Sequence, residues 1–362
     1  MPRRESEVLG ALLQLSSRDL DDTEISRLLT LFKDIPDLHL RAALHHRLNQ
    51  LDAGELYVAA LDAYEKEAAS AAEDDKAFSG RGLQRLCYAD YARYLLDTGF
   101  TIPARINLNK ALEFGATESR PTLFVVDCLL LKASAEDIAG ESGAANDSLT
   151  LAAKLAGELL PAGHTQLASV HDRFGWTNMS RWQLFEARKH FEMALAIRRE
   201  IALPDLMTRV AMMHDEHGLA MVSRFSGDIA DARTRYGRLV GEVKSLVAEA
   251  QSRYETELVY GRLVNTLERL ADCYLFSTPP QPEDAYGRIE EAVSLCESMS
   301  PQSKFRTRAR LRCKQAMVLA LAGESQGATD VIARMKKQDY QNLVGQQVHE
   351  IDLYVSAHRG HS

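Results

Sequence analysis

Apolar residues recur along this chain at intervals of three and four, the period of an α-helix with one buried face. Near the N-terminus Val8, Leu9, Leu12, Leu13 and Leu15 mark one such face. Asp21 with Glu24 has the form of a helix start, and Ile25, Leu28, Leu29 and Phe32 follow at helical spacing until Pro36 stops the run. Leu38 to Leu51 predicts a third helix with Gly54 at its turn, and Ala59, Ala63 and Tyr64 mark the helix that follows. The polar run from Ser70 to Arg81 reads as a loop or a frayed helix end. Leu123 to Ile138 predicts a helix, Gly140 and Gly143 a turn, and Ser148 to Leu160 a partner helix. Pro279, Pro280 and Pro282 enlarge a later turn, and Val344, Val348, Ile351 and Val355 trace one face of a last helix.

The most regular stretch runs from Phe174 to Ala194. Gly175 lies twelve residues before Ala187, and Phe191 and Ala194 follow Ala187 by four and seven. In two antiparallel helices joined by a tight turn, these are the points of closest contact, where small residues let the backbones approach. The spacing resembles the tetratricopeptide repeat (TPR), with small residues at its eighth, twentieth and twenty-seventh positions and an aromatic at the twenty-fourth. Tyr91, Ala92, Leu95, Gly99, Ala104, Leu108 and Ala111 match the same pattern, as do Leu219, Ala220, Gly227, Ala232, Tyr236 and Leu239. Leu270, Ala271 and Tyr274 begin another repeat, completed by Ala285, Ile289 and Ala292, and Ala316, Leu319, Gly323, Ala328 and Ile332 make the last. Positions 59, 104, 148, 187, 232, 285 and 328 recur every 39 to 53 residues, against about 34 for the ordinary repeat. The chain therefore resembles the long-repeat variety found in kinesin light chains and bacterial regulatory TPR proteins. The resemblance implies an all-α, right-handed superhelical solenoid of about six or seven antiparallel helix pairs. The expected organisation is an N-terminal helical cap over 1–36, the solenoid over 37–337, and a C-terminal capping helix and tail over 338–362.

Composition narrows the functional classes. A net charge of −8 argues against general nucleic-acid binding, which needs a basic surface. Cys87, Cys128, Cys273, Cys296 and Cys313 are scattered, with no CxxC pair. Such a set reads as buried thiols of a reducing compartment, hence a cytoplasmic protein. No apolar run reaches eighteen residues, so neither a membrane span nor a signal peptide is expected.

The resemblance also implies where a partner would sit. In such arrays the first helix of each pair lines a concave groove. Carried over residue by residue, the groove positions are Ser169, Asp172, Trp176, Met179 and Ser180, then His214, His217, Met221, Arg224 and Phe225. Asn265, Glu268, Asp272, Leu275 and Phe276 follow, and then Arg310, Cys313, Met317, Ala320 and Leu321. Trp176, Met179, Met221 and Phe225 would form an apolar floor rimmed by Asp172, Arg224, Glu268 and Asp272, the usual make-up of a protein-binding surface. The same aromatics would otherwise pack against neighbouring helices. A Trp176→Ala variant separates the two cases, by lost binding or by lowered melting temperature. The expected partner is a protein or peptide segment, through a scaffold or adaptor role, with a ligand-responsive regulatory module as the alternative. TPR domains that hold chaperone C-terminal carboxylates carry Lys or Arg and Asn at set groove positions. Arg310 and Lys314 supply part of that pattern, but the rest is absent.

Catalytic signatures are weak. His214 and His217, three apart around Asp215 and Glu216, could share a metal, but the order is not HExxH and no third ligand is identifiable. The other reading is a solvated or groove-lining face. His45 and His46 point apart on a helix, and His190 would face away from the groove. No phosphate-binding or nucleophile motif occurs, so neither cofactor, metal nor enzymatic activity is expected. Lys304, Arg306, Arg308, Arg310, Arg312 and Lys314 split on a helix into two basic stripes. They read either as a patch for an acidic partner or as a solvated face balancing Glu283 to Glu297.

Overall fold

The computed structural model describes residues 37–47, 52–70, 81–115, 122–250, 253–299 and 301–337. The caps expected over 1–36 and 338–362 lie outside these residues. Fourteen helices and no strand occur among the described residues. They form seven successive pairs: α1 (Leu38–Arg47) with α2 (Ala53–Ser70), α3 (Arg81–Asp97) with α4 (Thr101–Gly115), and α5 (Leu123–Ile138) with α6 (Ser142–Leu159). Then come α7 (Thr165–Ser180) with α8 (Leu184–Arg199), α9 (Leu206–Phe225) with α10 (Ile229–Val247), α11 (Arg253–Leu275) with α12 (Pro282–Glu297), and α13 (Pro301–Leu321) with α14 (Ser325–Lys337). The helices gather into two compact units, α1–α8 with the first two residues of α11, and α9–α14 for the rest.

Helix boundaries follow local chemistry. Asp205 accepts a hydrogen bond from the Thr208 amide at 2.7 Å and Asp228 one from the Asp231 amide at 3.0 Å, capping α9 and α10. Pro282 stands in the first turn of α12, where its missing N–H costs nothing. Five of the turns inside pairs share one motif. The residue after the C-cap donates to the carbonyl three back, and the next residue donates to the carbonyl five back. The first of the two, directly after the C-cap, has a left-handed backbone. It is Gly99, Gly140, Gly227 or Gly323 in four turns, at φ between 79° and 88°, and Trp182 at φ 58° in the fifth. Glycine accepts this conformation without penalty and tryptophan does not.

The small-residue contacts form as expected. A Cβ on Gly175 would lie 2.5 Å from the Phe191 ring. Ala92, Ala104, Ala187, Ala232, Ala285 and Ala328 are all fully buried. In α6 the corresponding residue is Ser148, whose hydroxyl donates to the buried Glu136 carboxylate at 2.8 Å, so the polar atom is satisfied inside the pair. The first pair needs a correction. Ala59 is only partly buried and Ala63 is exposed, whereas Ala53, Tyr57 and Ala60 are buried. Those three have the true four- and seven-residue spacing, and Tyr57, stacked on Tyr91 at 5.5 Å, is the aromatic of the repeat. Gly54 likewise belongs to the first turn of α2 rather than to a loop, where a Cβ would meet the Tyr94 ring at 2.9 Å.

Candidate functional site

Of the expected groove residues, Ser169, Asp172, Trp176, Met179 and Ser180 lie in the first unit and the others in the second. Asp172 and Met179 are buried. The Trp176 indole donates to Asp172 at 3.1 Å, and its ring meets Phe191 edge-on at 5.2 Å. Trp176 therefore belongs to the packing of the α7–α8 pair, and neither Asp172 as a rim charge nor Met179 as an open floor is realised. Trp176→Ala should act on stability. Met221 packs against the core of the second unit, so it is not an exposed floor residue either.

The second unit does bring expected residues together. Glu268 and Asp272 lie one turn apart on α11, on the same face, and each side chain is only 4% exposed. Cations from three helices surround them. Arg224 on α9 reaches Asp272 at 3.5 Å, and Arg269 on α11 reaches it at 3.2 Å. On α13, Arg310 reaches Glu268 at 2.9 Å, while Lys314 bridges Glu268 at 3.2 Å and Asp272 at 2.5 Å. Arg310 also donates to Asn265 at 2.8 Å. The Arg224 guanidinium lies 5.2 Å from the Phe225 ring and 5.1 Å from the Phe276 ring, within reach of cation–π attraction. Phe225 and Phe276 are both exposed. Four cations thus face two carboxylates, beside two exposed aromatic rings.

The basic run divides as its stripes suggest. Arg308 pairs with Glu297 at 3.2 Å, the balancing contact expected for a solvated face. Arg310 and Lys314, on the other stripe, serve the α11 carboxylates. Arg269 and Lys314 were absent from the expected site. The signal for Lys314 was its four-residue spacing from Arg310, matching that of Glu268 and Asp272.

His214 and His217 are partly buried. His217 meets Tyr236 edge-on at 5.2 Å. Burial, and then the neighbouring His214, Arg262 and Arg269, pull its pKa well below the ordinary value. Two guanidiniums close enough to do this also oppose a bound cation. Among the described residues no group of three or more His, Cys, Asp or Glu is placed to hold a metal ion. The five cysteines are all buried. Among the described residues no helix is long and apolar enough to cross a membrane.

In the first unit His190 contacts His171 across the α7–α8 pair, Nδ1 to Nδ1 at 3.1 Å, and stacks on Phe174 at 4.9 Å. Burial lowers both pKa values, and His190 is lowered further by His171 and Lys189 against an opposing pull from Glu186. A histidine whose folded pKa is depressed binds fewer protons folded than unfolded. Its stabilising contribution is complete above the ordinary value of about 6.5 and is lost as pH falls below it. Calorimetry at pH 7.5, 6.5 and 5.5 should show the first unit losing melting temperature toward acid. The slope should be shallower in a His171→Gln/His190→Gln variant, and equal slopes would dismiss the pair as the cause.

No protein-family model matches the sequence, and no curated protein matches it. Solved structures do. A Rap protein complexed with Competence and Sporulation Factor is 10% identical, with 98% of this chain and 99% of that one covered and a TM-score of 0.58. The apo form of RapI is 14% identical over 89% of this chain and 87% of that one, at a TM-score of 0.52. BtubC from P. vanneervenii is 15% identical over 68% of this chain and 92% of that one, at 0.51. The chain has the tetratricopeptide-repeat-like fold. At such identities the likeness concerns architecture, an all-α helical solenoid of antiparallel pairs, and function must be argued from the site.

Proposed function

We propose that the chain is a protein- or peptide-binding TPR scaffold or adaptor, without catalysis of its own, and that the face of α9, α11 and α13 holds an acidic segment bearing apolar side chains. One observation carries this reading: Arg224, Arg269, Arg310 and Lys314 outnumber Glu268 and Asp272 beside the exposed rings of Phe225 and Phe276. In a chain of net charge −8 this is a local surplus of positive charge. The Arg310 side chain is 43% exposed, so it can meet a partner carboxylate while keeping Glu268. The rings add apolar area of the kind that anchors interfaces.

Selection from a random peptide display library on the purified protein tests the reading. Enriched peptides should carry Asp or Glu next to an apolar residue and bind less tightly as salt rises. Arg310→Glu should weaken them at least tenfold and Phe276→Ala by about 1–2 kcal/mol, with helix content unchanged by circular dichroism. Enriched peptides without acidic residues, or binding indifferent to both variants, would end the proposal.

A second reading, a ligand-responsive regulatory module, draws on the likeness to a Rap protein solved with Competence and Sporulation Factor. A selected peptide should then reduce the radius of gyration in small-angle scattering, where a static scaffold shows no change.

A further inference from the structure

The face of α9, α11 and α13 carries more positive charge than its own carboxylates balance. Arg224, Arg269, Arg310 and Lys314 meet Glu268 and Asp272, and among the described residues no other carboxylate pairs with any of the four cations. The cluster therefore keeps a surplus of two positive charges. Its hydrogen bonding is as incomplete as its charge. Among the described residues the Arg224 side chain makes no hydrogen bond. Asp272 stands at 3.5 Å as an ion pair, and the Phe225 and Phe276 rings lie at 5.2 and 5.1 Å. The Arg310 Nε–H is buried and has no acceptor among the described residues, although Nη2 of the same side chain donates to Asn265 at 2.8 Å. Two guanidiniums with unmet donors, in a cluster short of negative charge, call for an oxyanion of more than one charge.

We propose that this face binds a phosphorylated side chain of a partner protein. The inference rests on the acidic-segment reading above and names the acidic group. Charge is the first reason. A phosphoryl group on serine, threonine or tyrosine carries about −1.5 to −2 at pH 7, which matches the surplus, whereas an aspartate or glutamate carries a single charge. Geometry is the second. Arg310 contacts Glu268, Arg224 contacts Asp272, and Lys314 contacts both. The two carboxylates lie one turn apart on α11, about 5.4 Å along its axis, so Arg310 marks one end of the cluster, Arg224 the other and Lys314 the middle. A phosphoryl group has three terminal oxygens for these three cations, and a carboxylate has two. The surroundings are the third reason. The exposed rings of Phe225 and Phe276 offer apolar contact to the partner residues beside the phosphoryl group. A nucleic-acid backbone brings one charge per phosphate, and the net charge of −8 repels it.

Three peptide libraries, bound to the full chain, test this. Each has random flanks around a fixed phosphoserine, glutamate or serine. The phosphoserine library should bind about tenfold more tightly than the glutamate library, and the serine library should not bind. Apolar residues should be enriched beside the phosphoserine. Arg224→Gln and Arg310→Gln should each bring phosphoserine and glutamate to within about threefold of one another, with helix content unchanged by circular dichroism. A merely structural role would not change that ratio. The Arg310 side chain is 43% exposed, so its variant answers the question even where Arg224→Gln fails to fold. Equal binding of the phosphoserine and glutamate libraries would overturn the phosphoryl assignment and leave the acidic-segment reading standing, whereas binding of neither would overturn both. A phosphoserine preference unchanged in Arg310→Gln would put the phosphoryl group elsewhere and overturn the proposal. Phosphoinositide vesicles or single-stranded DNA bound through Arg310 more tightly than any phosphopeptide would name a lipid headgroup or nucleic acid instead, and overturn it as well.

Discussion

Replacing Phe191 with alanine should destabilise the first unit by about 3–5 kcal/mol, the cost of deleting a fully buried aromatic ring. Phe191 has no exposed surface. Its ring fills the space left by the missing side chain of Gly175, where a Cβ would lie 2.5 to 2.8 Å from three ring atoms, and Trp176 closes over it edge-on at 5.2 Å. The facing change, Gly175→Ala, sets two effects against each other. Helix propensity alone would gain about 1 kcal/mol. Overpacking a close contact costs about 1–3 kcal/mol, and the ring has Trp176 against it, so it cannot retreat freely. The clash should win, leaving a net loss of about 1–2 kcal/mol. Adding Phe191→Leu to Gly175→Ala should recover part of that loss, since the two sites share one space. Urea denaturation of the four proteins reads all of this. A Gly175→Ala protein more stable than the parent would show that the helices do not approach as described.

The helix pairs were legible because backbone approach leaves little choice of residue. A small residue, glycine or alanine in most pairs and Ser148 in one, is required wherever two helix axes come that close, and an aromatic such as Phe191 or Tyr236 fills the gap beside it. Those constraints recur at fixed offsets, so they survive as pattern. They failed at the first pair for a physical reason. α2 is rich in alanine, and Ala53, Ala59, Ala60 and Ala63 look alike as letters. Only the aromatic Tyr57, stacked on a ring of the next pair, sets which of them face inward. Trp182 was passed over for a related reason: the left-handed turn position is normally betrayed by glycine, and here the turn keeps its hydrogen bonds without one.

The site was legible only in part. Helical spacing placed Glu268 with Asp272, and Arg310 with Lys314, on single faces. It could not say that the two faces meet, because that depends on how α11 and α13 pack side by side. Nor could it separate Trp176, turned against Phe191, from Phe276, which stays exposed. Both occupy groove positions by offset. The difference lies in which side chain has a cavity beneath it, and that is a property of packing.

Replacing Lys314 with methionine should cost the second unit about 3 kcal/mol. The ammonium bridges both buried carboxylates, at 3.2 Å to Glu268 and 2.5 Å to Asp272. Removing one partner of a buried ion pair typically costs about 3–5 kcal/mol, because the remaining charge is left desolvated. The lower end applies here, since Arg310 still reaches Glu268, and Arg224 and Arg269 still reach Asp272. Methionine keeps the length and apolar stem of lysine, so the loss reports charge rather than volume. The same reasoning makes the effects non-additive. Once Asp272→Asn has removed one of the two negative charges, Lys314→Met should cost at least 1 kcal/mol less than it does in the parent. Denaturation of the two single variants and the double variant gives the coupling directly. Additive losses would mean that Lys314 sits in solvent and does not bridge the carboxylates. A large coupling would mean that the four cations and two carboxylates act as one unit, with its positive surplus held in place for a partner by the two buried negative charges beneath it.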